Sequence, residues 1–136
     1  MKYLLDTDIC IYLIRQRPPG VIREMARQQV GDVGLSSITV AELQYGVMKS
    51  AQVERNQSAL VQFLAPLVIV DFDAAAATAY GNVRALLERN GTPIGSLDTL
   101  IAAHALSLDV TLVTNNEREF SRVPRLKLAN WTTNNE

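Results

Sequence analysis

Lys2-Tyr3-Leu4-Leu5-Asp6-Thr7-Asp8 is a short apolar run that ends on two carboxylates. Leu4 and Leu5 are adjacent, with no alternation of apolar and polar positions, which predicts a strand buried on both faces. Such strands lie inside parallel sheets, and in an open α/β sheet ligands bind just beyond the carboxyl ends of the strands. Asp6 is placed at such an end. Whether other carboxylates reach the same edge depends on the order of the elements that follow.

After Asp6, Ile9 to Ile14 reads as a helix, with Thr7 or Asp8 available as its cap, and it ends near Arg17 before Pro18-Pro19-Gly20. Pro19 can open a second helix, about Val21 to Gln29. Val33-Gly34-Leu35-Ser36 is a second strand. Ser37 begins a third helix, Ile38 to about Ser50, which carries Glu42. A fourth helix spans Glu54 to Ala65 and is stopped by Pro66. Leu67-Val68-Ile69-Val70, four apolar residues in a row, is expected to be a third buried strand. Asp73 caps an alanine-rich helix, Ala74 to Glu88, closed by Asn90-Gly91. After the loop Thr92-Pro93-Ile94-Gly95, Ser96 is expected to cap a sixth helix, Leu97 to Leu108, with Asp98 in its first turn. Thr111 to Thr114 is a fourth strand, Glu117 to Phe120 a helical turn, and Leu126 to Ala129 an edge strand that Trp131 helps to cover.

Strands separated by helices require right-handed crossovers, hence a parallel sheet with helices on both faces. The expected fold is three-layer α/β/α with a central five-stranded sheet, as one domain over residues 1–131 and a frayed tail at 132–136. No apolar run reaches the ~18 residues of a membrane span, and Asp6 and Asp8 interrupt the N-terminal apolar stretch before a signal peptide could form. The single cysteine, Cys10, excludes an internal disulfide and a cysteine-rich zinc site, which suits a reducing cytoplasm. In an apolar helix it reads as a small buried hydrophobe. The net charge of −1, from 13 basic and 14 acidic side chains, argues against a histone-like binder. Arginines nevertheless cluster at Arg15, Arg17, Arg23 and Arg27 and again at Arg118, Arg122 and Arg125. They suit either solvated helix faces or the rim of an acidic site facing a phosphodiester.

Three acids lie in or beside stretches that ought to be packing: Asp6 at the end of a buried strand, Glu42 within Ile38-Thr39-Val40-Ala41-Glu42-Leu43, and Asp98 before Leu100-Ile101-Ala102-Ala103. A lone buried charge costs several kcal/mol or shifts its pKa to become neutral. Converging carboxylates are compensated by a divalent cation, and Mg²⁺ or Mn²⁺ prefers oxygen ligands of this kind. Each acid also has a purely structural reading. Asp6 or Asp8 can cap the first helix, Asp98 can favour a helix dipole, and Glu42 can be a solvated helix residue. Asn115-Asn116 follows the fourth strand and reaches the same edge, either to orient water or phosphate or to form a turn. Glu119, one helical turn on, is a further candidate or an exposed surface acid. His104, the only histidine, lies about 120° round the helix from Asp98 and reads as a packing residue. There is no P-loop and no GxGxxG after the first strand, so nucleotide-dependent chemistry has no support.

Four blocks carry a family resemblance: Leu4-Leu5-Asp6-Thr7-Asp8-Ile9, Ser36-Ser37-Ile38-Thr39-Val40-Ala41-Glu42-Leu43-Gln44-Tyr45-Gly46, Thr92 to Ala105, and Leu112-Val113-Thr114-Asn115-Asn116. Together, in this order and across essentially the whole chain, they resemble the PIN-domain ribonucleases, and more narrowly the VapC toxins of bacterial toxin–antitoxin pairs. The resemblance implies a Mg²⁺-dependent endoribonuclease, a homodimer and inhibition by a cognate VapB antitoxin. The Thr-Pro-Ile-Gly and Thr-Asn-Asn blocks point to the branch that cuts initiator tRNA in the anticodon stem-loop. By position, Asp6 and Asp98 become metal ligands, Glu42 completes the acidic triad directly or through water, and Asn116 supports it. Asp8 stands where relatives commonly have Asn, and Asn116 where many PIN nucleases have an acid.

The chemistry this implies is metal-assisted hydrolysis leaving 5′-phosphate and 3′-hydroxyl ends, with Arg15, Arg17 and Arg118 set against the RNA backbone. Two other readings fit parts of the sequence. Asp6-Thr7-Asp8 also matches the Asp-x-Asp start of haloacid-dehalogenase-type phosphatases, but too few residues follow Thr114 for their later lysine and acidic pair. A catalytically silent PIN-like module that binds RNA or protein is the other.

Overall fold

The computed structural model describes residues 1–132. Its strands are Tyr3–Leu5 (β1), Val33–Ser36 (β2), Val68–Val70 (β3), Thr111–Val113 (β4) and Leu128–Ala129 (β5), all parallel in one sheet. The helices are Thr7–Arg15 (α1), Pro19–Ala26 (α2), Ser37–Met48 (α3), Val53–Leu64 (α4), Ala74–Arg89 (α5), Ser96–Leu108 (α6) and the short Glu117–Phe120 (α7). This is the three-layer architecture expected from the order of elements.

Adjacent leucines in β1 feed two separate cores. Leu4 packs with Leu112 of β4, Val83 and Leu87 of α5, Ile101 of α6, and Phe120. Leu5 packs on the other face with Val113, Ile9, Val21, Leu43, Leu60 and Trp131, which brings in α1 to α4. A strand buried on both faces has no solvent side on which to place a polar residue, which is why its sequence does not alternate.

The strand order β3-β2-β1-β4-β5 places β1 in the middle. The chain leaves β1 over one face and moves outward through β2 to β3. It then returns through α5 and α6 over the other face to β4, beside β1. The direction of travel reverses between β1 and β4, so the loops after these two strands diverge and leave a crevice at their carboxyl ends. Asp6 follows β1 and Thr114 follows β4, so both stand in that crevice.

Several local expectations change. β3 is not buried: Val68 and Ile69 are 38% and 46% exposed, because this strand lies at the sheet edge. An unbroken apolar run cannot distinguish an edge strand from a central one. The cap of α1 is Asp6 itself, whose Oδ1 accepts from Thr7 N at 2.7 Å, while Asp8 is exposed in the first turn. Gly95 takes the capping position of α6, and Ser96 is already helical. β5 starts at Leu128 and lies at the sheet edge, as expected. Trp131 is buried and meets Tyr3 edge-on at 5.4 Å. Cys10 and His104 are buried, the latter with Nδ1 2.8 Å from Ser36 Oγ and its ring edge-on to Phe72. Of the tail expected to fray, Thr132 is tied down, its hydroxyl donating to Asn115 Oδ1 at 2.9 Å, and 133–136 lie outside the described residues.

Gly34 in β2 is required by close approach. A β-carbon there would lie 2.5 Å from the Val68 carbonyl oxygen of the neighbouring strand. Backbone in a sheet cannot move aside cheaply, so Gly34→Ala is expected to cost ~1–3 kcal/mol. A lower urea midpoint with an unchanged m-value would show it; an unchanged midpoint would refute the account.

Candidate active site

The site is built from the end of β1 outward. Asp6 N donates to Val113 O at 2.9 Å, which extends the β1–β4 pairing by one residue and fixes the backbone of the acid. Asp6 as a whole is only 6% exposed. Oδ1 accepts from Thr7 N, and Oδ2 accepts from Thr114 Oγ1 at 2.8 Å. Thr114 is in turn oriented by Asn116 N, which donates to its hydroxyl oxygen at 2.9 Å. Burial pushes the Asp6 pKa above its ordinary value; the two hydrogen bonds oppose this, and the charges of Asp8 and Glu42 add to it.

Thr7 joins two acids. While its N–H holds Asp6, its hydroxyl donates to Glu42 Oε1 at 2.7 Å, so α3 presents Glu42 at the start of α1. Asp98 comes from the first turn of α6, on the far side of the crevice. Its pKa is raised to about 7, first by burial, then by a hydrogen bond with Glu119 and by the charges of Asp6, Glu119 and Glu42. Glu119, on α7, is shifted the other way, chiefly by the hydrogen bond from Asp98 and by Gly95 N, which donates to its Oε1 at 3.1 Å. Within this pair Asp98 is thus the acid that protonates first as pH falls, and Glu119 the one that stays ionised.

The sequence-predicted acids Asp6, Glu42 and Asp98 do meet at the carboxyl edge of the sheet, close enough to act on one another electrostatically. Glu119 joins them rather than lying free on the surface. Asn116 hydrogen-bonds the Glu119 carboxylate, so its place is beside the acids. Asp8 is exposed and acts on Asp6 by charge alone. Thr7, expected only as a possible helix cap, and Thr114, expected only to end the fourth strand, are each the hydroxyl next to a strand end that holds an acid. Arg15 and Arg17 line a cleft with Tyr12, Pro18, Asn115 and Thr132, whereas Arg118 is exposed on α7 and is not part of that lining.

The charges acting on Asp6 and Asp98 are all negative, so the donor set is hard, anionic oxygen in excess of its local counter-charge. That composition fits a divalent cation such as Mg²⁺ or Mn²⁺. Among the described residues no group of three or more acidic, histidine or cysteine side chains is placed to hold a metal ion. An ion that keeps several waters and takes one or two carboxylates directly suits such an open arrangement. The hydroxyl of Thr114 aims the Asp6 carboxylate, and partners of this kind commonly change metal affinity or activity ~10–100-fold when removed. Thr114→Val is expected to do so here, read as the Mg²⁺ concentration giving half-maximal RNA cleavage. A variant with the wild-type Mg²⁺ requirement would remove Thr114 from the site.

The PIN domain family model matches residues 3–126. The chain is 47% identical to ribonuclease VapC2 of Rickettsia felis, over 96% of this chain and 98% of that protein. It is 44% identical to the tRNA(fMet)-specific endonuclease VapC of Shigella flexneri, over 97% of this chain and 99% of that one. Among solved structures, DNA-bound VapBC from Salmonella typhimurium superposes with a TM-score of 0.91 at 42% identity, covering 96% of this chain and 98% of its counterpart. Likeness of this extent, along a chain whose four acids stand at the sheet's switch point, shows that it belongs to the PIN domain family and, within it, to the VapC proteins.

Proposed function

We propose that this chain is a divalent-cation-dependent endoribonuclease and the toxin of a VapBC-type toxin–antitoxin pair. Its substrate is initiator tRNA cut in the anticodon stem-loop, and the outcome is arrested translation and growth. The observation that carries this reading is the accumulation of Asp6, Glu42, Asp98 and Glu119 at the crevice between β1 and β4, with Asp98 raised to about 7 by burial and its acidic neighbours. The named activities of the Rickettsia and Shigella relatives support it. The VapBC assembly from Salmonella supports a VapB-type antitoxin as partner. A homodimer and a cytoplasmic location, where tRNA is found, complete the proposal. No helix among the described residues is long and apolar enough to cross a membrane.

Asp6, Asp98 and Glu42, the last directly or through water, would hold Mg²⁺, with Glu119 beside them. When bound, the cation supplies Lewis-acid polarisation of a phosphodiester and a water activated at neutral pH. The protein's own part is positioning. Thr7 and Thr114 lock the Asp6 carboxylate, Thr7 also fixes Glu42, and Gly95 N fixes Glu119. To serve as a ligand beside Asp6 and Glu42, Asp98 would have to be ionised, and its pKa of about 7 leaves the carboxylate accessible near neutral pH. Arg15 and Arg17 offset this negative charge for an approaching RNA backbone.

The test is cleavage of tRNA by the purified full chain with Mg²⁺, with Mn²⁺ and with excess EDTA, alongside mapping of new RNA 5′ ends after induced expression. Cuts in the anticodon stem-loop of initiator tRNA that need the cation are expected. Equal cleavage in EDTA would refute the metal, and cuts confined to other RNAs would refute the substrate.

A further inference from the structure

Beside the acidic site lies a cleft of about 360 Å³ lined by Tyr12, Arg15, Arg17, Pro18, Asn115 and Thr132. We propose that it takes one unpaired nucleotide of the RNA, flanking the bond to be cut, with the base on the Tyr12 ring and the phosphates facing Arg15 and Arg17. The proposal rests on the ribonuclease reading above and adds to it the means by which the enzyme selects a loop.

Position is the first argument. Asn115 directly follows Thr114, whose hydroxyl holds Asp6, so cleft and acids share one edge of the sheet. Tyr12 lies on α1, the helix that Asp6 caps, six residues further on, a rise of ~9 Å. At ~3.4 Å per stacked nucleotide, that places the cleft within about three nucleotides of the acids.

Chemistry is the second. Unpaired RNA bases are recognised by stacking on aromatic rings or guanidinium planes and by amide hydrogen bonds to their edges. An aromatic ring and two guanidinium groups provide the stacking surfaces. Neither Arg15 nor Arg17 forms an ion pair among the described residues. The cleft volume lies in the ~300–1,000 Å³ range of small-molecule sites, in which a single nucleotide is accommodated.

The third argument is how the cleft is built. Gln16, between the two arginines, is left-handed at φ 59° and ψ 42°, a conformation that disfavours any side chain. The turn it makes brings Arg15 and Arg17 to the same cleft. Asn115 Nδ2 donates to the Tyr12 hydroxyl at 3.2 Å, and Asn115 Oδ1 accepts from the Thr132 hydroxyl, so the ring is anchored at its polar end.

The experiment uses the full chain and a short RNA hairpin with an unpaired loop, in Mg²⁺. Binding is measured by fluorescence anisotropy on an Asp98→Asn background, and cleavage on the otherwise wild-type chain. Tyr12→Ala is expected to weaken binding ~10-fold or more, the loss of one stacked base, and to raise KM more than it lowers kcat. Tyr12→Phe, which keeps the ring and loses only the Asn115 bond, should stay within about threefold of wild type. Arg15→Gln with Arg17→Gln should reduce the salt slope of binding by about two contacts. A loop nucleotide carrying 4-thiouridine should cross-link at or beside Tyr12. Tyr12→Ala binding and cutting RNA as wild type does would overturn the proposal, as would Tyr12→Phe failing as badly as Tyr12→Ala, since the ring would then be a strut. Should Tyr12→Ala not fold, cross-links found only outside the cleft overturn it equally. Variants that lose affinity for a protein antitoxin but not for RNA would assign the cleft to that partner instead. Failure of the ribonuclease reading shows separately, as a wild-type chain that cuts no RNA, while binding and cross-linking still decide the cleft.

Discussion

Asp6→Asn and Asp98→Asn are each expected to lower RNA cleavage by at least ~10²–10³-fold in saturating Mg²⁺, the loss typical of removing one electrostatic group from a reacting centre. Asparagine is nearly isosteric with aspartate. At position 6 its amide oxygen still accepts from Thr7 N, so the cap of α1 survives and the substitution removes charge rather than shape. Alanine at position 6 would be a poorer test. It would also delete the cap and strand the buried Thr114 hydroxyl, at ~0.5–2 kcal/mol for the cap alone. Stability should therefore fall little, or rise, in the asparagine variants, because each removes a carboxylate that burial and like charges already penalise. Single-turnover cleavage and thermal melting of the same preparations separate the two effects. A folded variant that cuts RNA at the wild-type rate would exclude that acid from the reaction.

What the sequence carried and what it withheld divide along physical lines. The adjacent Leu4 and Leu5 announced a doubly buried strand because burial on both faces removes the reason for alternation, and the structure places them in separate cores. Alternation of helix and strand required crossovers and thus the three layers. The order of strands in the sheet lies outside any local pattern. It makes β3 an edge strand with Val68 and Ile69 exposed, although Leu67 to Val70 is as apolar as a core strand. Asp6, Glu42 and Asp98 were legible because a carboxylate amid packing residues needs a partner. Glu119 was not resolved from a surface acid. It stands on a four-residue helix flanked by other charges, and the hydrogen bonds from Gly95, Asp98 and Asn116 are what distinguish it. Thr7 and Thr114 are silent for a different reason. A threonine beside a strand end is ordinary β chemistry until the sheet closes and its hydroxyl meets a particular carboxylate.

Mg²⁺ is expected to stabilise the protein strongly above neutrality and barely below it. Asp98 has a folded pKa of about 7 against an ordinary 3.8. A carboxyl raised by folding contributes stability that is complete below its unfolded pKa and is lost as pH rises through the folded one. Glu119, lowered from 4.5, behaves in the opposite sense: its contribution is present above 4.5 and is lost as pH falls through its folded value. The metal-free site is thus best satisfied between those limits, with Asp98 protonated and Glu119 ionised, and it is strained by charge above about pH 7. His104 acts on the acid side, since burial holds its pKa below 6.5 and its contribution is lost as pH falls beneath that. A cation reverses the balance at Asp98. It requires the carboxylate, so binding releases the proton, and apparent affinity should fall up to ~10-fold per pH unit below the Asp98 pKa. At ~100 times its Kd the ion adds ~2.7 kcal/mol, a rise in Tm of ~5–10 °C for a chain of this size, expected near pH 8 and largely absent near pH 5.5. Asp98→Asn should lose both halves of this behaviour. It should melt higher than wild type above neutrality without metal and gain little from Mg²⁺ at either pH, while His104 titrates alike in both proteins and cancels. The same Mg²⁺-induced rise at both pH values in the wild type would mean that the ion does not compete with the Asp98 proton. The acids at the switch point would then be a structural cluster rather than a metal site.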